Sequence, residues 1–418
     1  MIRVFLDYLL DNNVPYRITN GYQSIIDNLD DGDSDYDILL KKKDFEHVEE
    51  IVEGFCNKTD YKIVQIYHQK VLAKNIFIYD FKNDDILNLD FYGEVSRQNI
   101  LILKETSVFA THRKLEGISI LEPSQEFIQY LVKKVDKGKL SEEVFLYLKE
   151  LFDREPDQCS EYLVRFFEKE SKRLKMAFIE GDFSFPHKNV ASLKLDFVNN
   201  TRNTRIFTFE NGFRILKRIF RPTGFVVSFL GPDGSGKSTI IDGLSRETIP
   251  FRRSDYFHLK PFPQKESTKI VSDPQGKVPY SMLISLVKIS AFLIQYNMGW
   301  LKNVLRLKIQ SSLVVFDRYY DDLLVDPKRY RLGVTGFFAR FVRYLIPKPN
   351  VFFVLTGNAE RIHERKKEVT LNELKRQIIE YDSLVDEKRY LHIDVNRPPS
   401  DIILEVKQIL MNKMHERY

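Results

Sequence analysis

Residues 231 to 238 run Gly231-Pro232-Asp233-Gly234-Ser235-Gly236-Lys237-Ser238, with Thr239 next. Glycines at this spacing, closed by a lysine and a hydroxyl, suit the gripping of phosphate groups. Gly231, Gly234 and Gly236 let the backbone curl until successive N–H groups face inward at phosphate oxygens. Lys237 then reaches the terminal phosphates of a nucleoside triphosphate, and the Ser238 hydroxyl helps to hold Mg2+. A glycine-rich turn that binds nothing would not need a strand before it and a helix after it. Both are legible here: Phe225–Leu230 is apolar except for Ser228, and a helix is expected from Ser238, adding the positive end of its dipole. The expected cradle for ATP is therefore Gly231, Asp233, Gly234, Ser235, Gly236, Lys237, Ser238 and Thr239.

Two further groups could complete a reaction at such a loop. Asp317 closes the apolar run Leu313–Phe316, where an acid can sit near Mg2+ or take a proton from an attacking hydroxyl, and Arg318 follows it. Arg361 and Arg365 lie i, i+4 apart with Lys366 and Lys367 beside them. They read either as an arginine-bearing lid over the γ-phosphate or as a solvated basic face. Lys237, Asp317, Arg318, Arg361 and Arg365 are thus the candidate catalytic residues.

A second set of acids lies near the N-terminus. Strand alternation puts Asp35 and Asp37 on one face, and Asp90 stands in a second apolar run, Leu87–Tyr92. Three carboxylates buried together are unfavourable unless a cation offsets them, so Asp35, Asp37 and Asp90 are candidate metal ligands beside Ser238 and Asp317. A solvated acidic turn over residues 30–37 is the plainer alternative.

The elements that must position these residues divide the chain. Apolar runs at Phe225–Leu230, Leu313–Phe316, Val351–Leu355 and Leu391–Val395 alternate with helical patterns, which predicts an α/β domain over 222–418 built on a parallel sheet covered by helices. Residues 1–105 mix strand runs (Tyr36–Leu40, Ile76–Tyr79, Leu87–Tyr92) with helices and predict an α+β domain. A helical extension over 106–198 follows, with Phe127, Tyr130, Leu131 and Lys134 on one helical face and Phe145, Leu146, Leu148, Leu151 and Phe152 on another. The polar run Asn199–Thr204 reads as a linker.

Composition narrows the partners. A net charge of +5 over 418 residues is too diffuse to argue for nucleic acid, and two cysteines far apart offer no disulfide framework. Met282 to Leu301 is the one stretch apolar enough to raise a membrane span, but Lys288 stands within it and the phosphate loop and Asp317 must share one sheet on either side. It is expected to be a long buried helix, in a cytoplasmic protein.

At these residues the C-terminal half resembles the thymidylate kinase family. The likeness rests on Gly234-Ser235-Gly236-Lys237-Ser238-Thr239 preceded by Asp233, on Asp317-Arg318-Tyr319, on Pro347-Lys348-Pro349-Asn350-Val351, on the basic helix and on Glu380-Tyr381. It implies transfer of the ATP γ-phosphoryl, with Asp233 near the acceptor sugar, Asp317 at the metal and acceptor, and Arg318 on the acceptor phosphate. The family's Arg-Glu-Pro segment is replaced by Phe257-His258-Leu259-Lys260-Pro261-Phe262-Pro263, and Asp326-Pro327-Lys328-Arg329-Tyr330 is also unlike it. The N-terminal half is similar to the nucleotidyltransferase fold in Gly21-Tyr22-Gln23-Ser24, Ser34–Ile38 and Leu89-Asp90-Phe91, which implies two divalent ions on the three acids.

The expected function is an ATP- and Mg2+-dependent kinase of a small molecule, such as a sugar or polyol, fused to a nucleotidyltransferase-like domain. A nucleoside monophosphate kinase with a regulatory N-terminal half and a P-loop switch are the alternatives. The expected partner is the small-molecule acceptor, with a homodimer left open and neither nucleic acid nor a membrane span.

Overall fold

The computed structural model describes residues 1–20, 22–26, 36–200, 212, 216, 218–263, 278–333 and 336–418. The chain forms two compact units, Met1–Ile215 and Leu216–Tyr418.

The first unit carries a mixed five-stranded sheet. Its strands are β1 (Tyr16–Asn20), β2 (Tyr36–Leu40), β3 (Tyr61–Lys70), β4 (Ala73–Asp80) and β5 (Asp85–Tyr92), in the order β1-β2-β5-β4-β3. Only β2 and β5 run parallel, and Asp37 stands opposite Asp90 in their register. Helices α1 (Ile2–Asp11) and α2 (Val48–Cys56) bury Phe5, Leu6, Leu9, Val52 and Phe55 in one core with Ile38, Ile76, Leu89 and Phe91.

Helices α3 (Pro123–Lys137), α4 (Glu142–Arg154), α5 (Pro156–Phe166), α6 (Ser171–Glu180) and α7 (Val190–Asn199) build a second core from Phe127, Leu131, Phe145, Leu148, Phe152 and Phe178. Within the expected 106–198 stretch the long helices start at Pro123, and they lie inside the first compact unit. Leu146 departs from the expected apolar face: it is exposed, because Phe145, Leu148 and Phe152 already fill the inward stripe of α4.

The second unit is a five-stranded, wholly parallel sheet. Its strands are β6 (Phe225–Leu230), β7 (Arg253–His258), β8 (Ser312–Asp317), β9 (Val351–Thr356) and β10 (Tyr390–Asp394), in the order β7-β8-β6-β9-β10. The three central strands are buried at every residue, which is why they read as unbroken apolar runs. Helices α8 (Lys237–Leu244), α9 (Met282–Gly299), α10 (Gly336–Leu345), α11 (Ala359–Arg365), α12 (Leu371–Asp382) and α13 (Pro399–His415) join and cover them. Because all five strands point the same way, the loops after β6, β7 and β8 gather at one sheet edge, where such sheets bind ligands.

The apolar stretch from Met282 corrects an expectation. It forms α9 and a π-helical turn at Trp300–Val304, but only one face is buried, through Ile289, Phe292 and Tyr296. Leu283, Val287, Ile294 and Leu301 are exposed, a division the sequence hides because apolar residues lie all round the helix. Helix and turn continue to Ile309, long and apolar enough to cross a membrane by length and composition, yet they lie between two neighbouring strands of one sheet.

Candidate functional site

The phosphate loop leaves β6 at Gly231 and enters α8 at Lys237. Gly231 has φ +145°, and a Cβ there would come within 2.4 Å of the Leu355 carbonyl oxygen, so only glycine lets the loop turn against β9. Gly234 has φ +85°, and a Cβ there would meet Ile362 O at 2.9 Å, so the loop and α11 pack in direct contact. Gly236 caps α8 with no side-chain hydrogen bond, which leaves the first-turn N–H groups of this helix to a ligand or solvent. Ser238 and Thr239 are exposed there, and Ser235 is buried.

Lys237 folds back onto its own loop. Its Nζ donates to Gly231 O at 2.7 Å and to Pro232 O at 2.8 Å. Burial, reinforced by Arg318, lowers its pKa to about 8 despite the Asp233, Asp317 and Asp322 carboxylates. An ammonium held on carbonyls is ready to exchange them for phosphate oxygens.

Asp317 ends β8 beside β6, as the sequence reading required. Its Oδ2 accepts from Tyr256 Oη at 3.1 Å and lies 3.6 Å from His258 Nδ1, while its Oδ1 is buried with no hydrogen-bond partner. Burial pushes this carboxyl up, but His258, Lys237 and Arg318 together hold it below the usual range. A buried carboxylate oxygen with a spare lone pair, at the end of the strand beside β6, fits a hard divalent cation such as Mg2+.

Arg318 is enclosed by acids. Nη1 donates to Asp322 Oδ2 at 2.7 Å and Nη2 pairs with Asp233 Oδ1. Arg329 pairs with the other Asp233 oxygen, and Tyr330 Oη, at 2.9 Å, and Tyr381 Oη both donate to Asp322. Burial raises the Asp233 carboxyl, yet Arg318, Glu368, Lys237 and Arg329 outweigh it and hold Asp233 well below the ordinary carboxylate range. Arg318 also sits at φ +71°, a strained conformation fixed by its N–H bond to Phe229 O at 3.0 Å.

Arg361 and Arg365 are exposed on α11, the helix that touches Gly234, and Arg365 donates to Val395 O at 3.4 Å. The sequence reading missed Asp322, Arg329, Tyr256 and His258 as parts of this site. The replaced segments around His258 and Arg329 were the available signal, since both depart from the resembled pattern at this edge.

In the first unit Asp37 and Asp90 stand side by side, and Asp35 lies outside the described residues. Asp37 Oδ2 takes the Lys133 ammonium of α3 at 3.0 Å, and its Oδ1 accepts from Tyr92 Oη at 3.1 Å. Asp90 Oδ1 accepts from Asn75 and from Gln69, the latter at 3.3 Å. Among the described residues no group of three His, Cys, Asp or Glu could hold a metal ion. The counter-charge that the sequence reading sought in a metal comes, at Asp37, from Lys133.

No family model matches the chain, and no curated protein matches it. Among solved structures it is similar to thymidylate kinase from Candida albicans, at 19% identity and a TM-score of 0.35, over 46% of this chain and 93% of that one. It is also similar to thymidylate kinase from Ehrlichia chaffeensis, at 15% identity and a TM-score of 0.31, over 45% of this chain and 100% of that one.

Proposed function

We propose that the second unit transfers the γ-phosphoryl of ATP to a hydroxyl-bearing small molecule, such as a sugar or polyol. The observation that carries this reading is the convergence of three features: an uncapped helix N-terminus, a lysine folded on the loop carbonyls, and a buried unpartnered oxygen on Asp317. In this reading the loop N–H groups and Lys237 hold the donor phosphates, and Ser238 and Asp317 hold Mg2+, which offsets charge on the transferring group when bound. Arg318, tied to the loop through Asp233 and held also by Asp322, orients the acceptor in this reading. Arg361 and Arg365 act from α11 as the lid.

The nucleotidyltransferase-like reading of the first unit is kept in this proposal for its fold alone, supported by the Asp37 and Asp90 register on neighbouring strands, since Lys133 occupies Asp37 where a metal was expected. A cytoplasmic setting is supported by the two unpaired cysteines. An acceptor screen with [γ-32P]ATP tests the proposal. Label should move to a hydroxyl compound, and hydrolysis to free phosphate alone across the screen would count against transfer.

A further inference from the structure

The second unit holds three neighbouring cations that no carboxylate among the described residues answers. Lys260 follows β7, Lys288 lies on α9, and Arg331 closes the segment after Asp326. All three are half-buried, and among the described residues none has a carboxylate within ion-pair distance. Their partners are rings, carbonyls and, for Arg331 Nη1, the Tyr280 hydroxyl at 3.0 Å. Lys260 Nζ stands 4.3 Å from the Phe292 ring centre. Lys288 and Arg331 share the Tyr280 ring, at 5.1 and 4.0 Å from its centre, so the two charges are neighbours. Lys288 Nζ also donates to Tyr330 O at 2.5 Å, and Arg331 Nε to Val278 O at 3.1 Å.

Glu266 and Asp273 lie outside the described residues, and the described stretches beside the cluster are poor in acids. No Asp or Glu occurs from Val278 to Phe316 or from Pro327 to Ala359. The nearest acids are already engaged: Asp322 by Arg318, Tyr330 and Tyr381, Asp321 by Arg343, and Asp326 by the Arg329 N–H and Gln377. Burial, and then the neighbouring charges of Lys260 and Arg331, push the Lys288 pKa down, as expected for cations gathered together. The cluster is tied to the loop through Tyr330, Asp322 and Arg318 in turn, and Lys260 lies two residues beyond His258 at the Asp317 edge. Arg318, by contrast, is already balanced by two carboxylates.

We infer that Lys260, Lys288 and Arg331 form an anion subsite that receives a phosphate or carboxylate group of the acceptor, remote from the hydroxyl that is phosphorylated. The choice of substrate class rests on the phosphotransferase reading above. The acceptor is then an acidic hydroxyl compound, and the cluster is the determinant that rejects its neutral counterpart, because half-buried cations left without an anion favour any ligand that supplies one.

Two measurements test this and separate it from the kinase assignment. In the first, the chain is titrated calorimetrically with inorganic phosphate. Lys237→Ala should remove uptake by the loop and leave uptake by the cluster, and K288M/R331M should do the converse, weakening the second event about thirtyfold. Lys260→Gln, which leaves α9 untouched, should weaken the same event in the same direction. If K288M/R331M and Lys260→Gln both bind phosphate as the wild type does, the subsite is refuted whatever the loop does. In the second, matched acceptors are compared with labelled ATP: glucose, glucose 6-phosphate and gluconate, then ribose, ribose 5-phosphate and ribonate. The anionic members should be favoured, the phosphate and carboxylate arms telling which anion fits, and K288M/R331M should raise KM for them with kcat little changed. Equal use of the neutral sugars by wild type would overturn the inference, while loss of all turnover in Lys237→Ala alone would leave the kinase reading standing.

Discussion

Both sheets carry buried aspartates, Asp37 and Asp90 within strands of the first and Asp317 at a strand end of the second, and the difference lies in what those carboxylates have left to offer. Asp37 has both oxygens occupied, one by Lys133 and one by Tyr92, and Asp90 Oδ1 is taken by two amides. Asp317 keeps one oxygen unpartnered at the end of β8, beside the strand that leads into the glycine-rich loop. A filled carboxylate contributes to the fold, whereas a buried one with a free oxygen is costly unless something binds there. On this ground the proposed phosphoryl transfer is assigned to the second unit, while Asp37 in the first unit is held in an ion pair with Lys133.

Four changes can break or sharpen that contrast. The largest effect is expected from Lys237→Ala, which should lower ATP turnover by about a thousandfold or more with the far-ultraviolet circular dichroism unchanged, since the side chain alone is removed. Asp317→Asn should lower kcat by roughly a hundredfold with ATP affinity little changed, measured by steady-state kinetics. Small, equal effects of Asp317→Asn and Arg318→Ala would reduce this strand end to a structural role.

Lys133→Met should act in the other unit and on stability, leaving the Asp37 carboxylate buried against Tyr92 alone. A loss of about 3 kcal/mol in denaturant unfolding of that unit is expected, with kinase turnover unchanged. A metal-binding role for Asp37 would instead show as tighter Mn2+ binding in this variant. The smallest effect concerns pH. Burial lowers the Lys237 pKa in the empty loop to about 8, and phosphate needs the ammonium. ATP affinity should therefore be full below that pH and fall as pH rises through it, by up to about tenfold per unit, a trend that Lys237→Arg should abolish.

How much of this was legible follows from where the partners lie in the chain. The loop was readable because Gly231 to Thr239 are consecutive and the strand and helix that give them meaning adjoin them. The strands β6, β8 and β9 were readable because burial on both faces leaves an apolar run. Strand β7 was not, since it lies at the sheet edge with Arg253, Ser254 and Tyr256 exposed, and its sequence carries no such run. Hence His258 and Tyr256 beside Asp317 went unseen. The pairs Arg329 with Asp233 and Lys133 with Asp37 join residues 96 apart in each case, and no local spacing reports a contact of that kind. The one-sided burial of α9 was hidden for the opposite reason, an excess of apolar residues with no polar stripe to mark the outer face.

The most direct test of the account follows the two ends of the donor. The full chain is incubated with an acceptor pool and ATP labelled at either the γ- or the α-phosphorus, in wild-type and Lys237→Ala forms. The account predicts that γ label enters a stable product only with the wild-type loop, and that α label remains in ADP. Transfer of γ label at the wild-type rate by Lys237→Ala would contradict it, because the phosphate loop would then not be where the phosphoryl group moves.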